Sequence, residues 1–143
     1  YEKNNNIIRV VQGPQIDFFE KESIDKFFSY KYKISNNADR MGIRLDGYKI
    51  KNIKTPNIPS EGIVKGSIQV PGDGNPIILM ADHPTIGGYP KIATVILTDF
   101  SKIAQLSPRK KISFKKITFE EAETAFHENE NFLHHIYSQI KII

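Results

Sequence analysis

The stretch SEGIVKGSIQVPGDGNPIILMADHPTIGGYPK, from Ser60 to Lys91, decides how the rest of the chain is read. Two short apolar runs, Ser67 to Val70 and Pro76 to Ala81, flank Pro71-Gly72-Asp73-Gly74-Asn75. Turn formers between β-prone residues predict a hairpin. The second run ends in Ala81-Asp82-His83-Pro84. Pro84 biases His83 away from the right-handed helical region, and Gly87-Gly88 admits backbone angles that other residues avoid, so Asp82 to Lys91 is expected to be an exposed, shaped loop. Asp82, His83, Thr85, Tyr89 and Lys91 bring an acid, an imidazole, a hydroxyl, a phenol and an ammonium group into it.

Upstream, Ile7 to Val11 is a β-branched run halted by Gly13-Pro14, which predicts a strand and a turn. Ile16, Phe19, Ile24, Phe27 and Phe28 suit one or two short helical turns, with Phe18 off that pattern. Tyr30 to Ile34 alternates with lysine as a half-buried strand does, Asn36 to Asp39 makes a turn, and Met41 to Leu45 forms the next strand. The lysine-rich segment Gly47 to Ser60, with Pro56 and Pro59, reads as a mobile connection.

Downstream, the apolar run Ile92 to Leu97 is a core strand. Asp99 to Leu106 reads as a short helix capped by Thr98 or Asp99 and ended by Pro108, and Lys111 to Ile117 as a lysine-rich edge strand. Thr118-Phe119-Glu120-Glu121 has capping-box spacing and starts a helix. Its apolar stripe, Phe119, Ala122, Phe126, Leu133, Ile136, Tyr137 and Ile140, is broken only by Asn129 and is expected to pack on the barrel or on a further domain. Short strands, close turns and few helices predict a mainly β fold, antiparallel and closed or nearly so.

A chain of 143 residues suits one domain, residues 1–143. It has no cysteine, so thiolate ligands, thiol nucleophiles and disulfides are excluded. No apolar run approaches the roughly 20 residues that span a bilayer, so a soluble, cytoplasmic protein with no membrane partner is expected. The net charge of +4 is carried by dispersed lysines. The clusters at Lys49, Lys51 and Lys54 and at Arg109 to Lys116 lack interleaved aromatics, so no nucleic-acid partner is expected. His127, His134 and His135 do not form H-E-x-x-H, and neither a phosphate-binding G-x-x-x-x-G-K-[ST] loop nor a G-x-S-x-G elbow occurs. No metal site is expected.

Individual residues leave alternatives open. Arg40 and Arg44, flanking Gly42, either grip a carboxylate or phosphate or form salt bridges with Asp39 or Asp46. Glu61 is a general base, an acceptor for a substrate N–H, or a carboxylate satisfied by backbone amides or a lysine. Gln69, between Ile68 and Val70, either points into a pocket, where it can read an amide or urea group, or faces solvent.

The central stretch resembles the KipA family, also called allophanate hydrolase subunit 2 or the 5-oxoprolinase C-subunit, and the related half of the carboxyltransferase domain of urea carboxylase. RVVQGPQ at Arg9 to Gln15 and NNADRMGIRLDG at Asn36 to Gly47 fit the same family in the same order. The resemblance implies a cyclophilin-like β-barrel with two or three short-to-medium helices, forming the C-terminal half of a longer architecture. Tyr1 in place of an initial methionine fits a piece of something longer. Three functions are implied. The first is a hydrolase: a component of an ATP-dependent 5-oxoprolinase that opens a cyclic amide together with a KipI-like partner and a third subunit. The second is a biotin-dependent carboxyltransferase module, and the third a regulatory protein that antagonises a KipI-like kinase inhibitor. ATP would act in the assembled enzyme and carboxybiotin in the carboxyltransferase, with no cofactor held by this chain alone.

Placed on the motifs, Asp82, Lys91 and Glu61 become the expected catalytic groups, and Arg40, Gln69, His83, Thr85 and Tyr89 the expected contacts to a small amide or ureido substrate. Together they are expected to line the deepest pocket. Two departures stand out: Ala38 replaces the usual serine of SDRMG, and Ile86 replaces a hydroxyl of TTGGYP.

Overall fold

The computed structural model describes residues 6–140. Nine strands and three α-helices follow in chain order: β1 Ile7–Gln12, α1 Lys21–Ser29, β2 Tyr32–Ile34, β3 Gly42–Asp46, β4 Glu61–Gly62, β5 Ser67–Gln69, β6 Ile77–Leu79, β7 Ile86–Gly87, β8 Lys91–Val95, α2 Phe100–Ala104, β9 Lys111–Lys116 and α3 Phe119–Ile140. Seven strands close a barrel in the order β1-β8-β5-β6-β3-β2-β9, and β4 and β7 form a separate two-stranded ribbon. The predicted hairpin across Pro71 to Asn75 is the antiparallel pair β5–β6, with Ile68 opposite Ile78.

The barrel is antiparallel except where it closes. There β1 runs parallel to β9, with Ile7 opposite Ser113 and Val10 opposite Lys116. An odd number of strands cannot alternate direction all the way round a ring, so a seven-stranded barrel must contain a parallel pair. Closure also removes the edge expected at β9, which pairs with β1 and β2 on its two sides. Its lysines are exposed, and Ile112 and Phe114 are buried.

Inside lie Ile8, Val10, Ile34, Leu45, Ile68, Ile78, Ile92 and Ile112, all nearly inaccessible to solvent. Burial of each such side chain contributes about 1.5–3 kcal/mol. Phe27 of α1 stacks on Phe114 with ring centroids 4.6 Å apart, which seats α1 against β9. Phe18 stays at the surface of this layer, with the Lys54 ammonium 4.7 Å from its ring centroid.

Two expectations fail for the same reason, that tertiary partners occupy the groups concerned. The segment between Gly47 and Ser60 is tied down rather than free: Glu20 N–H donates to Lys51 O, Ile53 N–H to Phe18 O, Ile50 N–H to Gly74 O and Ile58 N–H to Gly88 O. Neither Thr98 nor Asp99 caps α2. Asp99 is wholly buried and accepts from the backbone N–H of Arg9 at 2.8 Å and from its guanidinium at 2.6 and 3.0 Å.

The capping box is present, with Glu121 N–H donating to Thr118 Oγ1 at 3.1 Å. The helix it starts, α3, runs for 22 residues and buries none of them. A cleft of about 370 Å³ separates it from the barrel, lined by Arg9 and Lys115 on one side and Glu120, Glu121 and Glu128 on the other. Packing of its apolar stripe on the barrel is therefore not observed.

The turn after β1 shows how closely the barrel is fitted. A side chain at Gly13 would put its Cβ 2.3 Å from the Lys91 carbonyl oxygen and 2.6 Å from the Ile92 carbonyl carbon, both backbone atoms that cannot rotate away. Gly13→Ala is expected to cost at least the ~1–3 kcal/mol typical of overpacking. Urea denaturation checks this; an unchanged midpoint would mean that β1 and β8 are not held this close.

Candidate functional site

Register builds the site. In β5 and β8, Ile68 lies opposite Ala93, but a bulge then skips Ile92 and sets Gln69 opposite Lys91. Bulges commonly re-aim side chains next to functional sites, and here the effect is to bring two long polar side chains side by side. The β4–β7 ribbon lies over them, because Glu61 pairs with Gly87 and Gly87 packs against Gln69. A Cβ at Gly87 would stand 2.6 Å from Gln69 Nε2.

Lys91 opens β8 rather than closing an exposed loop, and is only 5% exposed. Its ammonium is hydrogen-bonded to Glu61 Oε1. Gln15, from the turn after Gly13-Pro14, completes the arrangement: its Nε2 donates to Glu61 Oε1 at 2.9 Å and its Oε1 accepts the Lys91 backbone N–H at 3.0 Å. The Lys91 hydrogen bond, with support from Gln15, holds the Glu61 carboxyl below its ordinary range. Glu61 is therefore a carboxylate at neutral pH, and this contribution to stability is present above the ordinary carboxylate range and lost as pH falls through the depressed value.

Gln69 does not face solvent. It is 6% exposed, and its Nε2 has no hydrogen-bond partner. A buried donor without an acceptor costs about 1–3 kcal/mol. A ligand oxygen arriving beside Lys91 would relieve that cost. The chemistry on offer is thus an ammonium and an amide N–H for an oxygen, beside a partly exposed carboxylate able to accept from an N–H.

Two of the remaining expected residues, Arg40 and Asp82, lie elsewhere. Arg40 and Asp82 pair with each other, Nε to Oδ2 at 2.9 Å, in open solvent. They sit beyond Gly42 and Leu79, whereas Gln69 pairs with Ile77 at the start of β6, so the register puts the two clusters at opposite ends of the barrel. Arg40 borders a cavity of about 400 Å³ lined by Ile43, Met80, Phe100 and Ile103. Arg44 takes the salt-bridge alternative, with Asp73 at 3.0 Å rather than Asp39 or Asp46. His83 Nδ1 lies 2.6 Å from the Pro84 carbonyl oxygen, Thr85 lends its carbonyl to Ile63 N–H, and Tyr89 is 41% exposed. Arg40 and Asp82 therefore do not share one pocket with Lys91, Glu61 and Gln69. A cavity of about 730 Å³ is lined by residues around Gln12 to Pro14 and Lys116 to Glu121. Gln15, which holds the site together, is legible in the sequence only as the last residue of the RVVQGPQ motif; nothing in its type signals a role.

Residues 1–116 match the family described as carboxyltransferase domain, subdomain A and B. The chain belongs to that carboxyltransferase-domain family. It is 36% identical over 127 residues to the 5-oxoprolinase C-subunit of Escherichia coli K12, covering 89% of this chain and 41% of that protein. To the urea amidolyase of Saccharomyces cerevisiae it is 33% identical over 128 residues, covering 82% of this chain and 7% of that protein. The crystal structure of the Kluyveromyces lactis urea amidolyase superposes with a TM-score of 0.79 at 31% identity, over 88% of this chain and 8% of that one. The chain thus spans about two fifths of the E. coli relative and a small part of the amidolyases. The E. coli relative is, by its name, one component of a larger 5-oxoprolinase. Among the described residues, no helix is long and apolar enough to cross a membrane.

Proposed function

We propose that this carboxyltransferase-family chain acts in an ATP-dependent 5-oxoprolinase, together with a KipI-like partner and a third subunit, and supplies contacts to the cyclic amide. The observation that carries this reading is the buried Lys91 ammonium paired with Glu61 beside the unpartnered Gln69 Nε2. A lactam presents a carbonyl oxygen and an N–H side by side. Lys91 and Gln69 suit the oxygen, and stabilise negative charge that develops on it when the amide is attacked. Glu61, held as a carboxylate, suits the N–H. Kinship with the E. coli protein adds support.

ATP does not fit the residues present. The Gly72 to Gly74 turn carries Asp73, paired with Arg44, and its Gly74 and Asn75 N–H groups donate to Pro71 O and Asp73 Oδ1, where a phosphate cradle would need them free. ATP is accordingly assigned to the partners, and no step here runs through it. A carboxyltransferase reading is favoured by the fit to the K. lactis urea amidolyase, since urea and the biotin ring both present the same carbonyl and N–H pair. In either reading the chain alone is expected to turn nothing over.

Mixing the chain with a KipI-like partner, the third subunit, ATP and 5-oxoproline, and measuring glutamate release, tests the proposal. Release that requires this chain is expected. A rate unchanged when the chain is omitted would overturn it, and turnover of urea with bicarbonate and biotin carrier in place of 5-oxoproline would move the assignment to the carboxyltransferase.

A further inference from the structure

The last helix presents a surface that the barrel does not use. Phe119, Ala122, Phe126, Asn129, Leu133, Ile136 and Ile140 follow one another at steps of three and four residues through α3. That is heptad spacing, the kind that packs against another helix, and the exposed Phe132 and Tyr137 widen it on both sides in the C-terminal half. Phe119 is 72% exposed and Ile140 59%, and Phe126, Leu133 and Ile136 are also open to solvent. A helix of this length, about 33 Å at ~1.5 Å per residue, gains little from propensity alone in water.

Charge says what covers the seam. The positions flanking it on one side include Glu123 and Glu130, while Glu120, Glu121 and Glu128 face Arg9 and Lys115 of the barrel. Between Phe119 and Ile140 there is no lysine or arginine. A second copy of α3 therefore cannot answer these glutamates, and in an antiparallel pair Glu130 would meet a glutamate of the other copy. We infer that α3 is the docking surface for a helix of a different protein, one with apolar heptad positions and lysine or arginine beside them. Asn129, the polar residue in the middle of the seam, sets the register of that pair, as single buried asparagines do in coiled coils. This surface does not depend on what the barrel binds.

The 143-residue chain, which has no tryptophan, can be titrated against synthetic three-heptad helices with leucine at the seam, one tryptophan, and either lysine or glutamate at the flanking positions. Peptide fluorescence at about 0.15 M salt, where long-range attraction is screened, should show the lysine peptide binding at least ~10-fold more tightly than the glutamate peptide. Exchanging both Glu123 and Glu130 for lysine should invert that order. Leu133→Asp should abolish binding while leaving the thermal midpoint of the barrel in place, because Leu133 is exposed. No binding of the lysine peptide, equal binding of both, a preference that survives the charge exchange, or a dimer of the chain alone by analytical ultracentrifugation would each overturn the inference.

Discussion

Arg9→Met is expected to destabilise the barrel by about 3–5 kcal/mol, the scale for stripping the partner from a buried charge. Asp99 is fully inaccessible while Arg9 keeps a third of its side chain in water, so removing the arginine strands the carboxylate. Only the Arg9 backbone N–H and Lys102, 3.4 Å away, would remain to it. In the native chain burial pushes the Asp99 carboxyl up, but the side-chain and backbone hydrogen bonds from Arg9 more than reverse this, leaving it below its ordinary value of 3.8. A depressed carboxyl contributes stability that is fully present above about pH 4 and is lost as pH falls through the folded value. In Arg9→Met, burial is opposed only by the backbone N–H and Lys102, and the carboxyl rises. The variant should therefore gain stability relative to native as pH is lowered below neutral. Urea midpoints from pH 3 to 7 check this; two parallel curves would show that Asp99 does not depend on Arg9.

In the assembly proposed above, Lys91→Met is expected to lower kcat by roughly 10²–10³-fold, the usual effect of losing one preorganised donor to a developing oxyanion. Stability should fall too, by about 1–3 kcal/mol, because a buried hydrogen-bonded group is lost. The loss stays moderate because Glu61 is partly exposed and keeps Gln15. Asp82→Ala provides the contrast. Its carboxylate is in open solvent with Arg40, so stability should change by no more than about 0.5 kcal/mol. With the substrate beside Lys91, kcat should also stay near native. Equal losses of kcat in both variants would instead place the far end of the barrel in the chemistry.

Sequence reasoning makes Asp82 and Lys91 neighbours on one exposed loop, and the reason it does so shows where such reasoning stops. Pro84 and Gly87-Gly88 signal an irregular path, which is correct for Asp82 to Thr85. They carry no information about where that path returns. Ile86 and Gly87 pair with β4 through contacts some 25 residues away in the chain, and Lys91 then enters a barrel strand.

Local physics is enough for much of the rest. Alternation and β-branching locate the strands Ile7–Gln12, Gly42–Asp46 and Lys91–Val95 closely, the Pro71 to Asn75 turn formers make the hairpin, and Thr118 with Glu121 marks the start of α3, because each depends on residues within a few positions of one another. The ordered motifs identify the family for the same reason. Only tertiary structure decides that the barrel needs a parallel seam between β1 and β9, that Asp99 serves Arg9 instead of capping a helix, and that a one-residue bulge turns Gln69 toward Lys91 under Glu61 and Gln15. Each of these is settled by strands far apart in sequence meeting in one register, and a shift of a single residue there changes which side chains face each other without altering any local preference.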